Sequence, residues 1–283
     1  MKKFLHSFCF VTFLICLGYS SADAQYYYKD LVSTIQQNQQ FSILKNGNIR
    51  TIKIESFDEN DQPSDGFFCE KKINKNFSQS QMMSKSNITG ESLLTTDYNN
   101  KGDVIKTTTS TPTTTNTVEF EYDANGNISL IRTKTTADGD SSGITETHEY
   151  FYDNGRPVKM LRKKNNSLVS TITFVADAKG NIIEEDPSGR NIDKKYFYYY
   201  DDSNRLTDVV HYNVIAKRLL PDYMFEYGQG TLPSQMILVP EGSNDYQVWK
   251  YIYNEKGLKE KDLCYNKQKQ LVGTITYNYT FAR

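Results

Sequence analysis

The stretch Thr117-Val-Glu-Phe-Glu-Tyr122-Asp123-Ala-Asn-Gly126-Asn127-Ile128-Ser-Leu-Ile-Arg-Thr133 decides the fold. Val118, Phe120 and Tyr122 alternate with Glu119 and Glu121, the two-residue period of a strand with one apolar face. Asp123 follows as an acceptor for backbone N–H groups, which starts a type I turn. Gly126 then supplies the left-handed conformation that closes a three-residue hairpin loop with a bulge. Ile128 and Leu130 resume the alternation on the return strand, so Tyr122 is expected to face Ile128 and Phe120 to face Leu130.

The same unit recurs. Tyr98, Tyr122, Tyr152, Tyr200, Tyr227, Tyr253 and Tyr279 each end a strand-like run about every 25 residues, with Ala176 in the equivalent place of one copy. Asp177 and Gly180 repeat the turn pair, and so do Asp201 and Asn204. Asn204 replaces glycine at the position that needs positive φ, which asparagine tolerates best after glycine. One face of the incoming strands collects Tyr150, Tyr198, Phe225, Trp249 and Tyr251, while the other carries Glu119, Glu121, Glu149, Glu226 and Lys250. A one-residue slip would exchange the two faces, so register is strongly specified.

Seven such hairpins give about fourteen strands, and open twisted sheets rarely exceed ~10 without curling or splitting. The expected fold is therefore all-β, with antiparallel hairpin repeats forming one strongly curved or barrel-like sheet and the aromatic face on its concave side. An uncovered patch of that size would need closure, a segment from the N-terminal region or a partner to cover it. The repeat domain spans 93–283. Residues 25–92 form an N-terminal region in which Tyr26–Gln39 suits a short amphipathic helix, Leu44–Ile49 resembles one more hairpin, and the polar Ser78–Gly90 reads as loop.

Lys2-Lys3, the apolar run Phe4–Gly18 and the small-residue site Ala22-Asp23-Ala24 read as a secretory signal peptide over 1–24. Removing it takes the net charge from −1 to −2, because Lys2, Lys3 and Asp23 leave together. That balance gives no pull toward nucleic acid, and no second apolar run long enough to span a bilayer follows. Export also removes Cys9 and Cys16, leaving Cys69 and Cys264. An oxidising compartment would permit one long-range bridge between them, but two cysteines are no disulfide framework.

The units Tyr-Asp-x-x-Gly-Asn-Ile at Tyr122–Ile128 and Tyr-Asp-x-x-Asn-Arg-Leu at Tyr200–Leu206 resemble the YD repeats of Rhs proteins and teneurins. They are also similar to repeats in exported bacteroidete proteins. The resemblance covers about Leu93–Arg283 and implies a β-strand shell. The chain lacks the length, the core-associated motif and the C-terminal toxin of the large relatives, so the architecture carries over and encapsulation does not.

Chemistry is sparse. His148 and His211 lie on strand-like runs with no nucleophile nearby in sequence, and neither retained cysteine has the spacing of a zinc site. The Asp123–Asn127 loop lacks the later Glu and the glycine position of a calcium loop. No phosphate-binding glycine loop occurs, so no cofactor or metal is expected. Glu119/Glu121, Asp201/Asp202 and Glu184/Glu185/Asp186 are the carboxylate groupings a glycan hydrolase would draw on. The stacked Tyr and Trp side chains suit either a core or a surface for a glycan or cell-surface protein. The expected function is a non-catalytic exported scaffold or binding protein of the cell envelope, with a glycan hydrolase as the alternative. An outer-membrane pore fits the repeated strands but not the charges on the second face.

Overall fold

A computed structural model describes residues 27–140, 142–187, 195–213, 216–240, 243 and 245–282; the expected export signal lies outside them. Among the described residues one helix, α1 (Tyr28–Asn46), precedes eighteen strands. The first are β1 (Ile49–Asp58), β2 (Phe68–Ile73), β3 (Gln79–Ser86) and β4 (Gly90–Tyr98). Next come β5 (Val104–Ser110), β6 (Thr114–Tyr122), β7 (Ile128–Ala137), β8 (Ile144–Asp153) and β9 (Arg156–Lys164). β10 (Ser167–Ala176), β11 (Ile182–Asp186), β12 (Tyr196–Tyr200), β13 (Leu206–Asn213) and β14 (Arg218–Tyr227) follow. β15 (Pro233–Leu238), β16 (Gln247–Tyr253), β17 (Lys259–Asn266) and β18 (Leu271–Phe281) complete the set.

Each strand pairs antiparallel with its sequence neighbours, and β18 pairs with β1 from Ile49↔Phe281 to Asp58↔Gly273. Among the described residues the sheet thus closes into an 18-stranded barrel with no free edge. The seven repeat hairpins supply β4–β17. The strand ending near Tyr279 and three strands from the N-terminal region make up the rest, so the sheet runs on without a break at residue 92.

All seven repeat hairpins have a register shift one residue inside the turn, as between Asp97/Tyr98, Glu121/Tyr122 and Tyr199/Tyr200. Tyr122 faces Ile128, Tyr200 faces Leu206 and Tyr98 faces Val104, as the turn geometry predicts. Phe120, however, faces Ile131 rather than Leu130, because the bulge inserts one residue before the pair. A bulge sharpens local twist, and seven of them at one height help curl the sheet.

Two N-terminal expectations change. Leu44–Ile49 is no hairpin but the end of α1, where Gly47 N–H donates to the Ile43 carbonyl and Asn48 takes φ 53° to start β1. Ser78–Gly90 is not loop: it holds β3, whose Ser80, Ser84 and Ser86 are buried between β2 and β4. Ladder bonds on both sides outweigh its weak strand composition.

The interior holds two clusters. One joins Phe41 and Leu44 of α1 to Ile52, Ile54, Tyr98, Trp249 and Ile275; the other joins Tyr27 and Leu31 to Tyr150, Met160, Ile172, Tyr198 and Val209. β10 lies halfway round the ring from β1, so α1 crosses the barrel from wall to wall over roughly 28 Å of helix. Cys69 and Cys264 are separate buried thiols. They sit on β2 and β17, three strand spacings or roughly 14 Å apart along the wall, too far for a bridge. Burial pushes the Cys69 thiol up to about 11, so it is poorly reactive.

Candidate functional site

The turn residues do what their chemistry requires. Asp123 Oδ1 accepts from the N–H groups of Asn125 and Asn127 at 2.8 Å each, and its other oxygen accepts from the Asn127 side chain at 3.0 Å. Those bonds hold its carboxyl below the usual range. Asp177 and Asp201 repeat the bond to the backbone N–H four residues on, each at 2.9 Å. Gly126 (φ 87°), Gly180 (φ 94°) and Asn204 (φ 59°) occupy the left-handed position.

The repeat tyrosine has a role that sequence spacing does not reveal. From Tyr122 onward each repeat-tyrosine hydroxyl reaches sideways to the preceding hairpin and donates to the carbonyl of the first residue, or nearly so, after its turn, whereas the Tyr98 hydroxyl pairs with Ser80 Oγ at 3.2 Å. Tyr122 bonds Val104 O at 2.7 Å, Tyr152 bonds Ile128 O at 2.8 Å, and Tyr200 bonds Ile182 O at 2.8 Å. Tyr227, Tyr253 and Tyr279 make the same bond to Leu206, Pro233 and Lys259. The bonds stitch adjacent hairpins at one end of the barrel, and Ala176 is the gap in the series.

The expected aromatic face points inward. Trp249 is 1% exposed, Tyr198 2%, Tyr150 4% and Tyr251 8%, while Phe225 is half-buried. Trp249 and Tyr251 belong to the first cluster and Tyr150 and Tyr198 to the second. A ligand could reach these side chains only by displacing protein already packed on them.

Where α1 meets the far wall, the barrel carries a polar lock. Both Glu185 oxygens cap the helix, accepting from Tyr27 N–H and Tyr28 N–H at 2.8 Å, and one also accepts from the Tyr198 hydroxyl at 2.8 Å. This carboxylate, on β11, supplies the cap that Tyr27 itself does not. Burial pushes Glu185 up to about 7, opposed by its donors. Beside it, Asp30 of α1 meets His148 Nδ1 at 2.6 Å and the Tyr150 hydroxyl at 3.0 Å. His148 Nε2 lies 2.9 Å from Glu146, which takes two bonds from Arg162 at 3.0 and 2.8 Å. Burial alone would lower His148, but the two carboxylates outweigh it and hold the ring at about 9. Burial likewise opposes ionisation of Glu146, yet His148 and Arg162 bring it down to about 2.

The other carboxylate candidates are dispersed. Glu119 and Glu121 lie on the outer wall with Arg132, Glu184 and Asp186 pair with Lys195, and Asp201 pairs with Arg205. Of the grouping Glu184/Glu185/Asp186, only Glu185 enters the lock. Sequence reasoning missed Asp30, Glu146, His148 and Arg162 as a unit. The available signal was the placement of His148 on the inward-facing register of its strand. Among the described residues no group of three or more His, Cys, Asp or Glu side chains is placed to hold a metal ion.

On the outer wall several apolar residues pair with charges. Tyr199 faces Asp208, Val175 faces Glu184, Ile252 faces Lys261, and Lys159 lies 4.4 Å from the Phe151 ring. One apolar row on this wall lies in a groove. The groove, of about 660 Å³, crosses β14–β17 on the outside, lined by residues that include Met224, Ile237, Val248, Lys250, Tyr265 and Lys269. No helix among the described residues is long and apolar enough to cross a membrane.

No family model and no curated protein matches the chain. Among solved structures, a porin-like protein from Bacteroides uniformis ATCC 8492 aligns at 11% identity and TM-score 0.39, over 82% of this chain and 98% of that one. A TcdB2-TccC3-TEV structure aligns at 13% identity and TM-score 0.24, over 76% of this chain and 12% of that one. With TM-scores below 0.5, these likenesses leave function to be read from the residues themselves.

Proposed function

We propose that this chain is an exported, non-catalytic binding barrel of the bacterial envelope, built from YD-type hairpins, which meets its partner on its outer wall. The observation that carries the reading is the inversion of the barrel. Its inside carries two aromatic clusters on which α1 packs, while on its outside several apolar residues stand opposite charges. A barrel spanning lipid needs the opposite, an outward apolar band around a polar interior. The Met1–Ala24 pattern supports export. The engagement of Glu185 in capping, and the dispersal of the other carboxylates, supports binding over hydrolysis.

The test is the behaviour of the exported protein without detergent and with a planar bilayer. A monodisperse barrel that gives no conductance is expected. Discrete channel currents, increased when α1 is deleted, would overturn the reading. Glycan hydrolysis lost in Glu185→Gln but retained in Glu119→Gln would replace it with the enzyme.

A further inference from the structure

We propose that the outer-wall groove binds a single-chain aliphatic carboxylate, a free fatty acid, with the head at the β17 end. The proposal rests on the outer wall being the binding face. The groove floor is one cross-strand row: Met224 pairs with Ile237, Ile237 with Val248, and Val248 with Tyr265. Four strands at ~4.8 Å spacing make that row roughly 14 Å long. It is apolar from β14 to β16, and beyond Met224 the row continues to Asp208 on β13.

Two cations stand toward the β17 end, while Gln235 lines the groove on β15. Lys250 Nζ lies 5.4 Å from the Tyr265 ring, and Lys269 lines the groove from the turn after β17. Some outer-wall cations have carboxylate partners, as Lys163 has Glu149 and Lys106 has Glu119. Among the described residues neither Lys250 nor Lys269 forms an ion pair, and both are exposed. An elongated apolar floor with two cations at one end is complementary to an alkyl chain bearing one terminal anion. It does not suit a glycan, whose hydroxyls would lose water against Met224, Ile237 and Val248 without hydrogen-bond partners there. A volume of about 660 Å³ lies within the usual size of a small-molecule site.

The measurement is calorimetric titration of the whole exported protein with monomeric dodecanoate, with dodecanol and dodecyltrimethylammonium as comparators. One saturable site is expected for dodecanoate. The double variant Lys250→Glu/Lys269→Glu should weaken it by at least about tenfold, and Ile237→Asp should do the same by placing a charge on the floor. All three positions lie outside the core, and unchanged Trp249 emission would confirm that the barrel persists in each variant. Absence of saturable binding, equal affinity for the ammonium amphiphile, or dodecanoate binding untouched by both variants would overturn the proposal. So would adsorption to anionic phospholipid vesicles without monomer binding. Channel conductance would instead defeat the outer-wall reading itself, so the two failures are distinguishable.

Discussion

At the scale of single residues the turns follow from local chemistry. Open space surrounds a side chain added at Gly126, so its substitution tests φ 87° alone. Gly126→Asn should be tolerated, as Asn204 already is at the equivalent place, whereas Gly126→Val should cost roughly 1–3 kcal/mol. Thermal unfolding checks this, and equal melting temperatures would refute the turn assignment. The turns were legible in sequence because each rests on residues four apart, such as Asp123 and Asn127. The tyrosine stitching was not, since the Tyr122 hydroxyl finds Val104 O only after two hairpins lie side by side. A tyrosine at the end of an aromatic run already has a sufficient reason in apolar burial.

At the scale of the element, α1 depends on the wall it crosses. An isolated 19-residue helix of this composition is marginal in water, so docking must hold it. Phe41 stacks on Tyr98 with ring centroids 3.5 Å apart, and Glu185 caps the other end. Glu185→Leu would leave two helix N–H groups and the Tyr198 hydroxyl without their acceptor, costing about 2 kcal/mol or more. Glu185→Gln, with one remaining acceptor oxygen, should fall between. Urea unfolding monitored by circular dichroism measures both, and a wild-type midpoint for the Leu variant would show that the cap does not hold the helix. A helix beginning near Tyr26 was readable from the sequence, but its extension to Asn46 was not. Leu44-Lys-Asn-Gly-Asn-Ile imitates a hairpin, and only the placement of Phe41 and Leu44 in the core resolves it. Likewise Glu185 stood out in sequence as one of three adjacent acids, while its partners lie 157 and 158 residues away.

At the scale of the whole molecule, the lock makes stability depend on pH with a definite sign. His148 is raised from 6.5 to about 9, so its contribution is full below 6.5 and is lost as pH rises through 9. Glu185, raised from 4.5 to about 7, likewise contributes most below 4.5 and loses that contribution as pH rises through 7. Glu146, lowered from 4.5 to about 2, contributes above 4.5 and loses this as pH falls through 2. The three together place the maximum at about pH 4.5, with decline on both sides. Unfolding midpoints across pH should show it, and His148→Gln should flatten the alkaline limb; an unchanged limb in that variant would remove His148 from the account. The curved all-β sheet was legible because a repeated hairpin with one aromatic face has few ways to bury it. Its closure was not, because the closing pair β1–β18 joins Ile49 to Phe281 across the whole repeat array. The central claim is that the aromatic face is the filled inside of a water-facing barrel, and Trp249, the single tryptophan, reports on it directly. Acrylamide quenching of the native protein in detergent-free buffer should find blue-shifted emission that stays protected until the barrel unfolds. Water-like emission, fully quenched in the native state, would contradict it.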